Sequence, residues 1–344
     1  MALRRRIAFL VALCLPVLGL PVSALCAGGA AAEDHIIRLD PALDTVISHT
    51  APIETQATGF TWAEGPAWDK ANKRLLLSDV PTNKAYAWSP DGGLAVFLDP
   101  SGHPGGDHSG FREPGSNGLL FAPDGSLLIA NHGTRAVERM DLASGQRTTV
   151  ASRFDGHRLN SPNDLALAPD GTLYFTDPPY GLEGIEKSPL KELPHHGVYA
   201  LPLGGTVKLI DQTLSFPNGL AISPDGTFLY VAVSDPASPV IYRYRKTPDG
   251  FAGREVFFDA SPYLAKGWPG LPDGMATTAS GHLFATGPGG VFVLAPGGKL
   301  LGLIRLDRPT ANCAFGQDGR TLFITSADRL LAVRTVAAGA GWDD

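Results

Sequence analysis

Cysteine is scarce in this sequence, and this limits how the fold can be stabilised. Three cysteines occur in 344 residues, and two of them, Cys14 and Cys26, fall within or at the end of an apolar N-terminal segment. Only Cys313 is certain to remain beyond that segment, and its place inside an apolar run does not favour a catalytic thiol. A disulfide framework is therefore excluded, and the hydrophobic core must stabilise the protein.

Positive charge is also in short supply. The chain has 28 lysines and arginines against 34 aspartates and glutamates, a formal net charge of −6. This balance gives no basic surface for nucleic acid, so we expect no nucleic-acid partner. With 44% hydrophobic and 18% charged residues, the composition is that of a soluble globular protein with enough apolar material for a core.

Long apolar runs are missing except at the N-terminus. Three arginines at 4–6 precede an apolar stretch at 7–20, and small residues follow at 27–32. The stretch is short and interrupted by Pro16, which favours a cleavable signal peptide over the alternative of a membrane anchor. We therefore predict a signal peptide at residues 1–32, export to the periplasm, and no stable membrane association after cleavage.

Several signatures of common enzyme classes are absent. The sequence has no long helical periodicity, no Gly-x-Ser-x-Gly elbow between a strand and a helix, and no glycine-rich loop for phosphates or dinucleotides. Catalysis by a Ser-His-Asp triad on such an elbow is therefore not supported. Nucleotide-dependent chemistry of the common kinds is not supported either.

What the sequence does contain is a sixfold repeat. Each copy has a polar residue, an apolar run, a tight turn after five to seven residues, and a second apolar run. Units of about 40–55 residues with four short strands are typical of β-propeller blades. We predict an all-β, six-bladed β-propeller that forms a single domain over residues 33–344. Its repeats begin at Glu64, Asn117, Asn163, Asn218, Asp273 and Asn312.

The last repeat is too short to form four strands by itself. The segment from Asp44 to Ile53 has strand character and belongs to no blade. We predict that this N-terminal segment supplies the outer strand of blade six and closes the ring, which also removes an exposed sheet edge.

Two inserts interrupt the repeats, at residues 101–115 and 177–197. Long loops on a compact β scaffold serve as functional lids or are merely tolerated. The second insert contains His195 and His196, whose adjacency in a loop is more typical of solvated side chains than of metal ligands.

The first polar residue of each repeat forms a column that we call the polar column. Because the first strand of each blade lines the central channel, these six side chains should converge on one axis. Two are carboxylates and four are carboxamides, a set of hard oxygen donors that suits Ca²⁺. Zinc would call for His or Cys, which the column lacks. The alternative is that Asn-Gly and Asp-Gly pairs only form turns or cap backbone groups.

Five strings in this order resemble the gluconolactonase and regucalcin family of six-bladed propellers, and most closely its bacterial gluconolactonases. They are EGPAW at 64–68, SPND at 161–164, FTDPPYG at 175–181, FPNG at 216–219 and PDGM at 272–275. The resemblance implies one divalent cation, commonly Ca²⁺. The ligands it implies are Glu64, Asn163, Asn218 and Asp273. Regucalcin-type members have a substrate-contacting Arg where this chain has Ser161, so their substrate contacts are not transferred.

A cation with an open coordination position can polarise a lactone carbonyl and stabilise the developing oxyanion. The resemblance implies that Asp273 is both ligand and base. A cation lowers the pKa of its carboxylate ligand, which weakens it as a base, so His132 is a second catalytic candidate. We expect Asn117, Asp177 and Tyr180 to contact the substrate.

These features together predict a metal-dependent enzyme that hydrolyses a sugar lactone, such as glucono-1,5-lactone, to the aldonic acid. Two alternatives stay open: another lactone or a phosphoester on the same metal site, or a binding propeller in which calcium only rigidifies the channel. Mg²⁺, Mn²⁺ and Zn²⁺ stay open as alternatives to Ca²⁺, and the sequence does not indicate an oligomeric state.

Overall fold

Tight turns and short apolar runs build a series of antiparallel sheets. The computed structural model describes residues 34–342, so the predicted signal peptide at 1–32 lies outside the described residues. Two strands precede the first blade, β1 (His35–Arg38) and β2 (Ile53–Thr58). None of the helices in the described part of the chain is long and apolar enough to cross a membrane.

The first three blades each contain four strands. Blade one is β3 (Ala63–Asp69), β4 (Arg74–Asp79), β5 (Lys84–Ser89) and β6 (Gly93–Leu98). Blade two is β7 (Ser116–Phe121), β8 (Leu127–Asn131), β9 (Ala136–Met140) and β10 (Arg147–Ala151). A small hairpin follows, β11 (Arg153–Phe154) and β12 (His157–Arg158). Blade three is β13 (Leu165–Leu167), β14 (Leu173–Asp177), β15 (Gly197–Leu201) and β16 (Lys208–Asp211).

The other three blades continue the pattern. Blade four is β17 (Pro217–Ile222), β18 (Phe228–Val233), β19 (Val240–Thr247) and β20 (Gly250–Asp259). Blade five contains β21 (Met275–Thr277), β22 (Leu283–Gly287), β23 (Gly290–Leu294) and β24 (Leu300–Arg305). Blade six contains β25 (Thr310–Gly316), β26 (Thr321–Ser326) and β27 (Arg329–Arg334). The helices within residues 34–342 are short: three 3₁₀ turns at Pro41–Thr45, Val80–Thr82 and Ile185–Lys187, and one α-helical turn at Ser261–Leu264.

The inner strands of the blades form a closed ring. Each packs against the inner strand of the next blade, in the order β3, β7, β13, β17, β21, β25 and back to β3. Apolar side chains fill the spaces between blades, as where the ring of Phe284 in blade five packs against that of Phe315 in blade six with centroids 5.5 Å apart. The predicted six-bladed β-propeller is confirmed.

An N-terminal strand completes blade six, but not at the predicted residues. Strand β2 pairs antiparallel with β27, with Ile53 opposite Val333 and Thr58 opposite Arg329. The predicted boundaries, Asp44 to Ile53, were wrong. Much of that segment forms a 3₁₀ turn and bends, because the Asp40 side chain accepts a hydrogen bond from the Ala42 backbone and starts the turn.

Blade five has a fifth strand that the sequence analysis did not predict. Strand β1 pairs antiparallel with β24, with His35 opposite Arg305 and Arg38 opposite Gly302. The chain before the first repeat therefore adds outer strands to two neighbouring blades, β1 to blade five and β2 to blade six.

Glycine after the polar column lets neighbouring inner strands approach closely. A Cβ added at Gly219 would lie 2.2 Å from the backbone oxygen of Asp273 in the next blade. Comparable backbone contacts would arise at Gly65 against Asn117 and at Gly118 against Asn163. Asn-Gly in the inner strands is thus a packing requirement, in addition to any role in turns.

We predict that Gly219→Ala destabilises the fold by about 1–3 kcal/mol, because the added methyl group must displace backbone on the adjacent blade. Gly297→Ala is the matched control, since a Cβ there would meet nothing within 4 Å. Thermal and urea unfolding of both variants measure the difference. Equal stability of the two variants would contradict close inter-blade packing at Gly219.

Candidate metal and substrate site

The polar column lines a cavity where the inner strands converge. The cavity has a volume of about 370 Å³. Five of the six column residues, from five different blades, are in its wall: Glu64, Asn117, Asn163, Asn218 and Asp273. The sixth, Asn312, stands behind Glu64, where its Nδ2 donates to Glu64 Oε2 at 3.2 Å. The convergence expected from the repeat is therefore present.

A chain of hydrogen bonds orients the carboxamides. Asn117 Nδ2 donates to Asn163 Oδ1 at 3.0 Å, and Asn163 Nδ2 donates to Asn218 Oδ1 at 2.5 Å. Asn218 Nδ2 then donates to Ser234 Oγ at 2.9 Å. An amide oxygen accepts two hydrogen bonds, so Asn163 and Asn218 each keep one lone pair for a ligand.

The two column carboxylates differ in how they are held. Glu64 is buried, and its Oε2 also accepts a hydrogen bond from the Gly65 backbone at 2.7 Å. Asp273 has a buried oxygen, Oδ1, with no hydrogen-bond partner in the described structure. An unpaired buried carboxylate oxygen beside the cavity is the position that a cation would satisfy.

Negative charge in this region has too little positive charge to balance it. Burial, with the nearby charge of Asp164, raises the pKa of Glu64 to about 8. Burial and the charge of Glu64 raise the pKa of Asp273 well above its ordinary value. The only cationic side chain in the cavity wall of the described residues is Arg112, and it contacts Glu113. The donor set and its excess charge therefore fit a divalent cation.

The described residues contain no group of three or more His, Cys, Asp and Glu side chains arranged to hold a metal. The predicted ligand set does not depend on such a group, because half of its members are asparagines. It is an oxygen site of mixed carboxylates and amides, which is a combination that Ca²⁺ accepts.

Asp164 is a buried carboxylate that the sequence analysis did not single out. Its Oδ1 accepts from the Leu165 backbone at 2.9 Å and its Oδ2 from the Leu220 backbone at 3.2 Å. Burial raises its pKa to about 6. These bonds tie blade three to blade four, and the carboxylate adds negative charge close to the column. The available sequence signal for Asp164 was its position directly after Asn163, a member of the polar column.

His132 lies behind the cavity wall rather than in it. The ring is fully buried, and burial lowers its pKa to about 3, so it is neutral. Its Nε2 is 3.3 Å from Asn117 Nδ2, which makes Nε2 the acceptor and places the ring proton on Nδ1. This position lets His132 orient Asn117. The ring is not in the cavity wall, and its role as a catalytic base stays a prediction.

Asp177 and Tyr180 occupy different environments although both begin the second insert. Asp177 is fully buried outside the cavity wall, where its Oδ2 accepts from the Asn160 backbone at 2.7 Å. The structure therefore does not place Asp177 in the cavity wall. Its hydrogen bond would instead support the insert, and its contact with a substrate stays a prediction. Tyr180 does line the cavity, and its ring stacks on Phe216 with centroids 5.5 Å apart.

The adjacent histidines of the second insert are engaged elsewhere. His195 Nε2 is 3.0 Å from the Tyr199 hydroxyl. His196 Nδ1 accepts from the Phe216 backbone at 3.0 Å, and its Nε2 contacts Glu186. His196 thereby supports the ring on which Tyr180 stacks.

Arg112 and Glu113 line the cavity and were not predicted as site residues. They come from the first insert, whose backbone meets the second: Arg112 N and Glu113 N donate to Gly181 O at 3.0 and 3.3 Å. The repeat gave no signal for them because inserts fall outside its period. The interpretation of the inserts as functional lids, one of the two alternatives that the sequence left open, was the nearest indication.

The sequence profile described as "SMP-30/Gluconolactonase/LRE-like region" matches residues 62–328. The chain belongs to this family. The resemblance inferred from the five strings is confirmed, and the matched range contains all the predicted site residues.

Three relatives show how far the family likeness extends. A gluconolactonase from Zymomonas mobilis subsp. mobilis is 41% identical over 352 residues, covering 97% of this chain and 98% of that protein. The pentonolactonase XacC of Haloferax volcanii is 25% identical, covering 78% and 83%. The solved structure of a gluconolactonase from Xanthomonas campestris is 33% identical with a TM-score of 0.76, covering 88% of this chain and 95% of that chain.

The raised pKa of Glu64 predicts a pH dependence of stability without metal. The folded protein holds this proton up to about pH 8, whereas the ordinary value is 4.5. The group's contribution to stability is therefore present below pH about 4.5 and is lost as the pH rises through about 8. In chelator, Glu64→Gln should match the wild type near pH 5 and melt at least about 2 °C higher at pH 9.

Adding Ca²⁺ at pH 9 should make the wild type melt at a higher temperature than Glu64→Gln, because only the wild type keeps the Glu64 carboxylate. Thermal melts from pH 5 to 9 measure both effects, and Glu183→Gln, an exposed carboxylate outside the cavity, is the control. A difference between wild type and Glu64→Gln that stays constant across this range would contradict the assigned burial of charge.

Proposed function

We propose that this chain hydrolyses a sugar lactone of the glucono-1,5-lactone type to its aldonic acid, using one divalent cation, Ca²⁺ in preference. The observation that carries the proposal is the cavity in which Glu64, Asn163, Asn218 and Asp273 place oxygen donors around uncompensated negative charge. The gluconolactonase relative, matched over 98% of its length, supports the same reaction. Lactonases among the relatives favour an enzyme over a binding propeller.

Glu64, Asn163, Asn218 and Asp273 would hold the cation. When bound, it supplies Lewis acidity that polarises the lactone carbonyl and stabilises the developing oxyanion. The hydrogen-bonded carboxamides hold this geometry before substrate enters, so little reorganisation is needed.

Other cavity residues suit a polyhydroxylated ring. Burial raises the pKa of Tyr180, so its phenol stays protonated and can donate a hydrogen bond. Asn117, supported by His132, offers an amide to a ring hydroxyl. The volume of about 370 Å³ is near the small end of ligand pockets, which run to about 1,000 Å³, and it suits a monosaccharide-sized molecule.

A pentonolactone is the second candidate substrate. The Haloferax volcanii relative is named a pentonolactonase, and a five-carbon lactone is smaller than a hexonolactone and carries the same functional groups. The cavity wall gives less support to a phosphoester substrate. Among the described residues the wall contains one cationic side chain, Arg112, and it contacts Glu113.

We further propose that the reaction takes place in the periplasm after cleavage of the signal peptide at residues 1–32. Three arginines before an apolar stretch and the small residues after it support this proposal. Lactones released by sugar oxidation in that compartment would then be available to the enzyme.

We predict that the mature protein with Ca²⁺ releases acid from glucono-1,5-lactone faster than the spontaneous rate. Chelation should remove the increment, and so should Glu64→Gln and Asp273→Asn, since each removes a charged ligand. The control Asp91→Asn, on an exposed turn outside the cavity wall, should keep it. Acid release is followed by titration at constant pH over a panel of hexono- and pentonolactones.

No increment on any lactone of the panel would contradict the proposed reaction. Calcium retained by a folded protein without turnover of lactones or phosphoesters would instead indicate the binding propeller. Calcium binding is measured by calorimetry on the same preparations, so the two results are read together.

A further inference from the structure

Glu113 is a cavity carboxylate outside the predicted metal set. Within residues 34–342 the cavity wall contains three carboxylates, Glu64, Glu113 and Asp273. Glu64 and Asp273 belong to the predicted ligands, and a carboxylate held on a cation is a weak base because the cation stabilises its charged form. His132 does not line the cavity. Glu113 is therefore the carboxylate left to exchange a proton with a reacting water.

The contact between the two inserts fixes Glu113 in place. Its backbone N–H donates to Gly181 O at 3.3 Å, and that of Arg112 donates to the same oxygen at 3.0 Å. The Glu113 side chain is only 12% exposed. It is thus held at the cavity by backbone bonds rather than by a flexible loop, as a group in proton transfer requires.

The two carboxylate oxygens of Glu113 have different partners. Oε1 contacts the Arg112 guanidinium. Oε2 faces His132 Nδ1 at 3.7 Å, which is beyond hydrogen-bond distance, and the ring is neutral because burial lowers its pKa to about 3. One oxygen is therefore oriented by Arg112 while the other is left without a strong donor.

The surroundings also suit the task chemically. Burial raises the pKa of Glu113 to about 7, against a partial lowering by Arg112. Its electrostatic neighbours are Arg112, Glu64, Asp273 and the Tyr180 phenol. The neutral His132 ring also lies beside it. A carboxylate whose pKa is near neutrality is an efficient acceptor at neutral pH and a competent donor afterwards.

We propose that Glu113 is the general base, and then the general acid, of the lactone hydrolysis; this inference rests on the proposed function. The water oxygen attacks the lactone carbonyl carbon while the Glu113 carboxylate takes a water proton, and the carbonyl electron pair moves to its oxygen. That pair then returns, the ring C–O bond breaks, and the ring oxygen takes the proton from Glu113. Lactone and water give the hydroxy acid, and Glu113 ends as a carboxylate.

The test compares Glu113→Gln with Glu183→Gln in the mature, Ca²⁺-loaded protein. Glu183 is an exposed carboxylate in the second insert and does not line the cavity. We expect Glu113→Gln to lower kcat by about 10²–10⁴-fold with KM and Ca²⁺ affinity unchanged, because Gln keeps the Arg112 contact but accepts no proton. Glu183→Gln should retain wild-type kcat.

A second variant separates proton transfer from a structural role. Glu113→Ala should also be inactive but should regain activity when formate is added, since the small carboxylate can occupy the vacated space and accept the proton. A melting temperature close to the wild type checks that both variants fold.

Each outcome has a definite meaning. A wild-type kcat in Glu113→Gln overturns the inference, as does a loss without formate rescue that is accompanied by raised KM or weakened Ca²⁺ binding. A wild type without lactone hydrolysis overturns the proposed function and this inference with it. An active wild type with an active Glu113→Gln overturns the inference alone.

Discussion

Buried negative charge at the convergence of six inner strands is the constraint on which the rest of this structure depends. The ring brings Glu64, Asp164 and Asp273 together, and burial raises the pKa of each, with no cationic side chain among residues 34–342 to lower it. The proposed cation would remove this cost, because it would balance the carboxylates and meet the oxygen of Asp273 that lacks a hydrogen-bond partner in the described structure. Glycines after the column let the strands come close enough for this arrangement.

The blades and the inserts contribute different parts of the site. The blades supply the candidate ligands from the inner strands or from the residues just before them, and these strands pack on both neighbours. The inserts supply Arg112, Glu113 and Tyr180, which line the same cavity. The two inserts contact each other where the backbone N–H groups of Arg112 and Glu113 donate to Gly181 O. A substrate can therefore be selected by changes in the inserts without disturbing the oxygen donors on the ring.

The sixfold sequence repeat made part of this structure predictable, whereas features outside the repeat could not be predicted from it. The polar column was found because its members recur at the same position of each repeat. In a closed ring of blades, residues at the same position of each repeat lie close together. Strand β2 was misplaced because the Asp40 cap and the following turn were not recognised in the segment before it. His132 and Asp177 follow strand ends, where a catalytic base and a substrate contact were expected, but tertiary packing buries both. Glu113 lies in an insert, and its contact with Gly181 joins residues of two inserts that no repeat period relates.

The most direct test of the central claim is the position of a bound cation. A crystal of the mature protein soaked with Mn²⁺, measured for anomalous scattering, should show one strong peak within about 2.0–2.6 Å of side-chain oxygens of Glu64, Asn163, Asn218 and Asp273. A peak away from these four side chains would contradict the account. So would the absence of a peak at a Mn²⁺ concentration that supports lactone hydrolysis.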